Sequence, residues 1–178
     1  MICIGIDPGL SATGVGAVTD QGPDLVLEFY DTIRPKGLTT QHRIKEVCWG
    51  VWGKVHQWSM AARFLAIEMP FLNPKNRNPK AFMNQCLLIG ALMRELSPDW
   101  FPLYEVRPVV AKRAVTGWGG GGFGRGRKPA PTKRQVQLCV QDILKLEKPP
   151  PQDAADALAV AIWLQGEVKV QMRIVKEH

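Results

Sequence analysis

Four acidic residues occupy positions where a buried segment of the chain begins or ends. Asp7 follows a short apolar run and precedes the turn Pro8-Gly9, and Glu68 follows a second apolar run. Asp153 and Asp156 open an alanine-rich stretch. Clustered carboxylate oxygens suit hard divalent cations such as Mg²⁺ or Mn²⁺, and two such ions can promote cleavage of a phosphodiester bond. The four acids therefore predict a two-metal site for phosphodiester hydrolysis.

Each acid also has a structural explanation that requires no metal. Asp7 could simply open a turn, and a first-turn acid such as Asp153 stabilises a helix by about 0.5 kcal/mol through the helix dipole. The neighbours Ala154, Ala155 and Leu158 would, however, bury this turn against a sheet. Two adjacent buried carboxylates without a counter-charge are costly, because they repel each other and lose hydration. A divalent cation removes that cost, which favours the metal interpretation.

Short apolar runs bounded by turn residues predict the strands that would carry these acids. They lie at residues 2–6, 13–18, 25–30, 64–67 and 103–106. The first three runs are joined by short turns, which predicts an antiparallel meander. Asp7 and Glu68 would then stand at the ends of two buried strands.

Apolar residues at steps of three and four predict helices in other segments. These segments are 40–62, 80–96 and 108–115. Thr132 and Gln135 have the spacing of a capping box, which predicts the start of a further helix. The prolines at 149–151 should stop the chain, so that the final helix begins just after them. Residues 168–178 alternate apolar and basic side chains, a pattern compatible with a terminal strand or a frayed tail.

The predicted helix 80–96 carries more apolar surface than one face of a sheet would cover. One stripe on this helix comprises Phe82, Cys86, Ile89, Met93 and Leu96, and further apolar residues lie beside or behind it at Leu88, Ala91 and Leu92. Burial against a second copy of the chain would cover the excess. A homodimer is therefore expected.

The charge of the chain favours a polyanionic partner. The 178 residues carry a formal charge of +7, with 46% hydrophobic and 22% charged residues. Nucleic acid is favoured over an anionic membrane, because no apolar stretch approaches the roughly 20 residues of a membrane-spanning helix. Residues 106–141 contain no acidic side chain, and the basic ones in this window are Arg107, Lys112, Arg113, Arg125, Arg127, Lys128, Lys133 and Arg134.

Length and cysteine content narrow the class of protein further. The length suits one domain, which we place at 1–166, with a flexible Gly- and Arg-rich loop at 117–131 and a tail at 167–178. No secretory signal is recognisable, so we expect a cytoplasmic protein. The four cysteines form no Cys-x-x-Cys pair and have mostly apolar neighbours, which predicts buried free thiols and argues against zinc or disulfides.

Three motifs together resemble the RuvC family of Holliday-junction resolvases. They are Ile4-Gly5-Ile6-Asp7-Pro8-Gly9 with Thr13-Gly14, then Ala66-Ile67-Glu68, and finally Asp153-Ala154-Ala155-Asp156-Ala157-Leu158-Ala159. The match spans nearly the whole chain, and the joint occurrence of the first and last motifs is specific. The resemblance implies an α/β, ribonuclease-H-like fold with a mixed five-stranded sheet flanked by helices on both sides. It also implies a homodimer that nicks two opposing strands of a four-way DNA junction.

The resemblance assigns roles to individual residues. It implies that Asp7, Glu68, Asp153 and Asp156 are metal-binding catalytic acids. We predict that Asp7 bridges two Mg²⁺ or Mn²⁺ ions and that Glu68 and either Asp153 or Asp156 complete their shells. Lys112 and Lys133 fall where the family carries basic residues near the scissile phosphate, and we expect Arg113 and Arg134 beside them to bind DNA. Phe71 matches an aromatic residue near the junction centre. An exposed loop residue without a role is an equally good interpretation of Phe71.

The loop at 117–131 departs from the family, because it is longer, richer in glycine and more basic than the usual connection. It could be a disordered linker, since surface loops lengthen at little cost. It could also fold onto the junction, with Arg125, Arg127 and Lys128 on phosphates and Trp118 or Phe123 stacking on bases. We favour the second interpretation, because charge and aromatic side chains cluster there.

Other functions remain open at this level. One alternative is a broader nuclease for forks, flaps or RNA–DNA hybrids that uses the same metal site. A second is a junction-binding protein without catalysis, which the presence of all four acids disfavours. An actin-like phosphate-binding protein is weaker still, because the chain is too short for a duplicated fold. The resemblance also leaves room for a branch-migration helicase as a partner.

Overall fold

The computed structural model describes residues 1–22, 24–57, 63–71, 78–96, 102–117 and 131–176. Within these residues the strands are β1 (Ile2–Asp7), β2 (Thr13–Gln21), β3 (Asp24–Ile33), β4 (Arg63–Glu68) and β5 (Leu103–Val106). The helices are α1 (Thr40–His56), α2 (Pro79–Leu96), α3 (Pro108–Thr116), α4 (Lys133–Ile143) and α5 (Gln152–Lys176).

The described strands form one five-stranded sheet in the order β3-β2-β1-β4-β5. β1, β2 and β3 pair as an antiparallel meander, with a bulge between Ala17 and Val18. β4 pairs parallel with β1, and β5 pairs parallel with β4. The predicted mixed sheet and its meander are confirmed. Because β1 and β4 are parallel neighbours, their carboxyl-terminal ends lie at the same edge.

Alternation along the strands divides the apolar core between the two faces of the sheet. Ile4, Ile6 and Leu65 pack on the face covered by α1 and α2. Cys3 and Ala66 pack on the opposite face, which α3, α4 and α5 cover. The prediction of helices on both sides of the sheet is therefore confirmed, and every second residue of β1 faces α5.

Small residues on the strands allow α5 to lie directly against the sheet. A Cβ atom on Gly5 would lie 2.2 Å from the carbonyl oxygen of Ala157, and one on Gly14 would lie 2.0 Å from that of Asp153. Both distances are far shorter than any real contact, so only glycine fits at these two positions. The sequence of β1 and β2 thus determines how closely the first turns of α5 approach the end of β1.

Two predicted helix starts are found where the sequence placed them. In the capping box before α4, Thr132 Oγ1 accepts a hydrogen bond from the Gln135 amide at 3.2 Å, and Gln135 Oε1 accepts one from the Thr132 amide at 2.7 Å. α5 begins at Gln152, directly after the prolines. These local signals are reliable because each satisfies or removes a backbone donor that a helix start leaves without a partner.

The predicted stripe on α2 is only partly correct. Its buried residues are Leu88, Ile89, Leu92 and Leu96, while Cys86 is exposed. The buried arc is rotated because α2 packs against α1 as well as against the sheet. The thiols of the chain are free, as predicted, but they are buried only at Cys3 and Cys48.

Residues 168–176 form neither a strand nor a frayed tail, because α5 continues to Lys176. Its last turns are attached to the sheet by an ion pair between Lys169 Nζ and Asp20 Oδ2 at 3.4 Å. Tyr104 Oη also donates a hydrogen bond to Gln171 Oε1 at 2.8 Å. These tertiary contacts outweigh the alternating sequence pattern. Of the loop predicted at 117–131, residues 118–130 lie outside the described residues. None of the helices in the described residues combines the length and apolarity needed to cross a lipid bilayer.

Candidate active site

Strand register places two of the four acids side by side. Ile6 of β1 pairs with Ile67 of β4, and Asp7 and Glu68 are the next residues along these two strands. The two acids therefore lie at adjoining strand ends. Gly5 and Ala66, two residues earlier, lie on the face covered by α5. Since side chains alternate along a strand, Asp7 and Glu68 lie on that face too. Two buried strands therefore deliver two carboxylates to the side on which α5 begins.

The first turns of α5 bring the other two acids to this edge. Asp153 and Asp156 are three residues apart, so they share one face of the helix. The close contact between Asp153 and Gly14 matters here, because Gly14 pairs with Asp7 across the sheet. Asp156 is buried and Asp153 is partly exposed. The structure thus brings together all four acids predicted from the sequence.

Burial and mutual repulsion make the two strand acids reluctant to ionise. Burial raises the pKa of the Asp7 carboxyl well above its ordinary value, and the charges of Glu68 and Asp156 raise it further. Burial also raises the pKa of Glu68 to about 7, although the charge of Lys112 opposes this shift. Such shifts are typical of functional sites. The positive charge near Asp7 and Glu68 is therefore too small to offset the effect of burial on their pKa values.

Lys112 on α3 is the basic residue most closely associated with the acids. Its Nζ lies 3.4 Å from Oδ1 of Asp156. Burial by itself lowers the pKa of Lys112, but the charges of Asp156 and Glu68 outweigh burial and the pKa is raised. Lys112 therefore stays protonated beside the carboxylates, where it also counteracts the repulsion between Asp7 and Glu68.

Arg34 is a residue of this edge that sequence reasoning missed. Its Nη2 lies 3.2 Å from Oδ2 of Asp153. The predicted meander contained the necessary signal. The end of β1, the start of β2 and the end of β3 must share one edge, and Arg34 directly follows β3. Hydrophobic patterns identify strands, but only their pairing shows that this arginine lies at the edge of the sheet where β1 ends.

The turn after Asp7 is held by a compact set of hydrogen bonds. The buried Thr13 hydroxyl donates to the carbonyl oxygen of Gly9 at 2.9 Å and accepts from the Gly9 amide at 3.1 Å. Gln85 Nε2 donates to the Pro8 carbonyl oxygen at 3.2 Å, which links the turn to α2. Beside this turn lies a groove of about 520 Å³, which Arg43 and Asn84 also line. None of the four acids is among the residues that line this groove.

The predicted DNA-binding residues have different surroundings. Phe71 is 69% exposed, three residues after Glu68. Arg113 is exposed on α3, and Lys133 and Arg134 are exposed on the first turn of α4. Lys112, by contrast, belongs to the acid cluster. The remaining predicted residues, Trp118, Phe123, Arg125, Arg127 and Lys128, lie outside the described residues.

The donor set fits a hard divalent cation. Carboxylate oxygens are the ligands that Mg²⁺ and Mn²⁺ prefer. Glu68 Oε2 is buried and has no hydrogen-bond partner among the described residues. In the same residues, no three His, Cys, Asp or Glu side chains are arranged to bind one ion as they stand. Binding of one ion by three of these acids would therefore require their side chains to adjust.

The sheet order and the helices on both faces define an α/β protein with a ribonuclease-H-like fold, and the carboxylates lie together at one edge of its sheet. A family model described as crossover junction endodeoxyribonuclease RuvC matches residues 3–163. This covers nine-tenths of the chain, and the chain therefore belongs to the RuvC family. The predicted class of enzyme, an endonuclease acting on crossover junctions, is confirmed, and the family depends on a divalent metal.

Individual relatives agree with this assignment. The crossover junction endodeoxyribonuclease RuvC of Protochlamydia amoebophila is 33% identical over 179 residues, which cover 99% of this chain and 95% of that protein. The Vibrio cholerae protein of the same name is 35% identical over 90% of this chain and 84% of its own length.

Solved structures agree with the fold. Thermus thermophilus RuvC in complex with a Holliday junction substrate has a TM-score of 0.75 at 22% identity, covering 96% of both chains. The yeast mitochondrial Holliday junction resolvase Ydc2 has a TM-score of 0.58 at 11% identity, covering 98% of this chain and 82% of that one.

Proposed function

We propose that this protein is an endonuclease that resolves Holliday junctions by metal-dependent hydrolysis of phosphodiester bonds. One structural observation carries the proposal: β1 and β4 deliver Asp7 and Glu68 to the edge at which α5 presents Asp153 and Asp156. The relatives named above are crossover junction endodeoxyribonucleases. We further propose one nuclease domain that acts in the cytoplasm and that extends beyond the predicted bound at residue 166 to the last turns of α5.

The four acids are the residues we propose to hold Mg²⁺ or Mn²⁺, with two ions at each site. Asp7 is the best candidate for a bridging ligand, because β1 lies between β4, which carries Glu68, and β2, whose Gly14 lies against the first turn of α5. When bound, the ions would polarise the phosphate and lower the pKa of an attacking water. Burial of Glu68 and Asp156 keeps both carboxylates in a low-dielectric surrounding, which strengthens their attraction for a cation.

Basic side chains around the acids would bind the DNA backbone. Lys112 keeps its proton beside Asp156, so its charge is available to stabilise negative charge that develops on the phosphate. Lys133 is the alternative for this role, with Arg113 and Arg134 on flanking phosphates. Phe71 is exposed enough to stack on a base near the junction centre. In the loop outside the described part of the chain, we propose that Trp118 or Phe123 stacks on bases. The phosphates there would be bound by Arg125, Arg127 and Lys128.

A homodimer would place two such sites on one junction. The exposed side of α2 is apolar, with Met83 63% and Leu87 59% exposed. Both line a shallow groove together with Gly90 and Ala91. A second copy seated on this face by two-fold symmetry would cover it, because such an interface is self-complementary. A branch-migration helicase stays a predicted partner, with no surface assigned to it.

The dimer can be tested separately from cleavage. Leu87→Asp places a charge in the proposed interface and should convert a dimer to a monomer at micromolar concentration in sedimentation velocity. Val175→Asp is the matched control, because Val175 is 77% exposed on α5 and away from this face. A wild-type protein that sediments as a monomer would contradict the proposal.

Cleavage itself is tested on a synthetic mobile four-way junction with Mg²⁺. We expect paired nicks on two opposing strands, read at nucleotide resolution on all four strands, and no cleavage in EDTA. A replication fork, a flap and an RNA–DNA hybrid serve as competing substrates. Equal rates on fork and junction would favour the broader branched-DNA nuclease. Binding of the junction without any Mg²⁺-dependent nick would favour a non-catalytic protein.

A further inference from the structure

Arg34 contacts a candidate metal ligand without belonging to any predicted motif. Its Nη2 lies 3.2 Å from Oδ2 of Asp153, and the two residues are 119 positions apart in sequence. The contact is therefore made by the fold and not by local sequence. Arg34 reaches Asp153 because the end of β3 and the start of α5 lie at the edge of the sheet where β1 ends.

Exposure distinguishes Arg34 from the other basic residue of the site. The Arg34 side chain is 61% exposed, whereas that of Lys112 is 26% exposed. Lys112 is thus a point charge set among the acids. A guanidinium carries five N–H donors in a planar fork that matches carboxylate and phosphate geometry. Since the contact with Asp153 uses one terminal nitrogen, a guanidinium this exposed has donors left for a second anion.

Asp153 is also exposed enough to exchange partners. Its side chain is 28% exposed, and that of Asp156 is 10% exposed. An ion pair at a hydrated surface contributes at most about 1 kcal/mol, so another anion or cation can displace either partner. Arg34 therefore has the chemistry of a phosphate ligand that a neighbouring carboxylate neutralises while DNA is absent.

We propose that Arg34 binds a backbone phosphate of the DNA substrate and that Asp153 holds its guanidinium while DNA is absent, so that DNA binding and cation binding at Asp153 favour each other. A phosphate that takes over Arg34 frees the carboxylate for a cation. Conversely, a cation on Asp153 frees Arg34 for the phosphate, and the two effects must be equal in size. This inference rests on the proposed function, because it identifies the phosphate as part of the DNA substrate.

The first test is a double-mutant cycle on junction affinity in EDTA, where no cleavage occurs. Asp153→Asn releases Arg34, so we expect an approximately 5-fold gain in affinity in the wild-type background, the upper range for an exposed ion pair. In the Arg34→Gln background the gain should shrink to about 2-fold, since only general repulsion of DNA by Asp153 is then removed. Arg134→Gln, which replaces an exposed arginine on α4, is the matched control and should leave the 5-fold gain unchanged. Equal gains in both backgrounds would overturn the proposal.

The second test measures Mn²⁺ binding by calorimetry without DNA. Arg34→Gln should bind Mn²⁺ about 3-fold more tightly than wild type, because no guanidinium competes for Asp153. Arg34→Lys keeps the charge but loses the fork, and it should fall between the two. Unchanged or weaker Mn²⁺ binding by Arg34→Gln, in a protein with wild-type thermal unfolding, would contradict the exchange.

The salt dependence of junction binding identifies the phosphate contact. Arg34→Gln should reduce the slope of log affinity against log salt by about one, the loss of one phosphate contact. An unchanged slope would overturn the assignment of Arg34 to phosphate. Failure of the proposed function would look different, because the wild-type protein itself would then not bind or nick the junction.

Discussion

The four acids of the site form two pairs with contrasting surroundings. Asp7 and Glu68 stand at strand ends, have raised pKa values and form no salt bridge within the described residues. Asp153 and Asp156 stand at the start of α5, and they lie 3.2 Å and 3.4 Å from a basic nitrogen. In the proposed metal site the strand pair would therefore depend on a bound cation to ionise, whereas basic side chains of the protein already neutralise the helix pair.

This contrast separates two requirements of a metal-dependent nuclease. The backbone of both strand acids is fixed by pairing on either side of β1 and of β4, so in the proposed site they would give a cation a rigid base. The helix acids can exchange a protein cation for a metal ion without leaving an isolated buried charge, which would be very costly. Substitutions that affect one pair and not the other test whether this division is real.

The largest effect is expected at the centre of the strand pair. Asp7→Asn should reduce the rate of junction nicking in Mg²⁺ by at least about 100-fold, because a proposed bridging ligand and the charge it carries are lost. Asp153→Asn should cost about 10-fold, because Asp153 is the more exposed helix acid. Single-turnover cleavage measures both rates.

Junction affinity in EDTA is the control for this pair of variants. Neither change should weaken it, because both remove negative charge from the surface that receives DNA. Equal loss of rate in the two variants would abolish the proposed division between strand and helix acids. Retained nicking by Asp7→Asn would refute the site as a whole.

The next largest effect is on the pH dependence of stability. A carboxyl group whose folded-state pKa exceeds its unfolded value stabilises the fold below the unfolded pKa, and this contribution is lost as pH rises through the folded pKa. For Glu68 these values are 4.5 and about 7. Metal-free protein should therefore lose about 3 kcal/mol of unfolding free energy between these pH values from this group alone. Urea unfolding in EDTA at pH 4.5 and pH 7.5 measures the loss.

Two controls connect this prediction to the strand pair. Glu68→Gln cannot ionise, so it should remove the share of the loss that Glu68 contributes and leave the share of Asp7, whose pKa is also raised. Asp153→Asn should leave most of the loss in place. Mg²⁺ at pH 7.5 should restore stability, because a cation bound to the folded state favours it by mass action. A wild-type protein that becomes more stable from pH 4.5 to pH 7.5 in EDTA would contradict the assignment of raised pKa values to the strand acids.

The strand pair could be predicted from the sequence, and so could most of the fold around it. A short apolar run followed by an acid and a turn identifies Asp7 and Glu68, because a buried strand can place a carboxylate only where it leaves the core. β5 was predicted at its observed bounds, and α2 and α3 to within one residue of theirs. The capping box at Thr132 succeeded for a similar reason, since its chemistry is local.

Features that depend on packing between distant elements could not be predicted in the same way. The partner of Asp153 is Arg34, and a hydropathy pattern carries no information about which charged residues meet across the fold. The predicted apolar stripe of α2 differs from its buried face, because packing against both α1 and the sheet determines which residues are buried. The prediction of a strand or a frayed tail at the end of α5 is wrong, because contacts with Asp20 and Tyr104 stabilise these residues as a helix.

Lys112 is the cation that pairs with Asp156, the buried member of the helix pair. Lys112→Met removes the cation beside Asp156 and leaves three carboxylates with less positive charge among them. Metal-free protein at pH 7.5 should lose about 1.5 kcal/mol of stability, since the pair is largely but not fully buried. Mg²⁺ should reduce that loss, which urea unfolding with and without the ion can measure. A loss unaffected by Mg²⁺ would mean that Lys112 acts through packing of its alkyl chain and not through charge.

Arg34 should have the smallest effect on stability, although it contacts the same helix. Arg34→Gln should change the unfolding free energy by less than about 0.5 kcal/mol, because water screens an ion pair whose arginine is 61% exposed. Calorimetric melting in EDTA tests this against Lys112→Met under identical conditions. If both variants lost equal stability, Asp153 and Asp156 would be equally dependent on their cations. A near-zero change at Arg34 together with an altered Mn²⁺ affinity would instead mean that this guanidinium is retained for its anion and not for the fold.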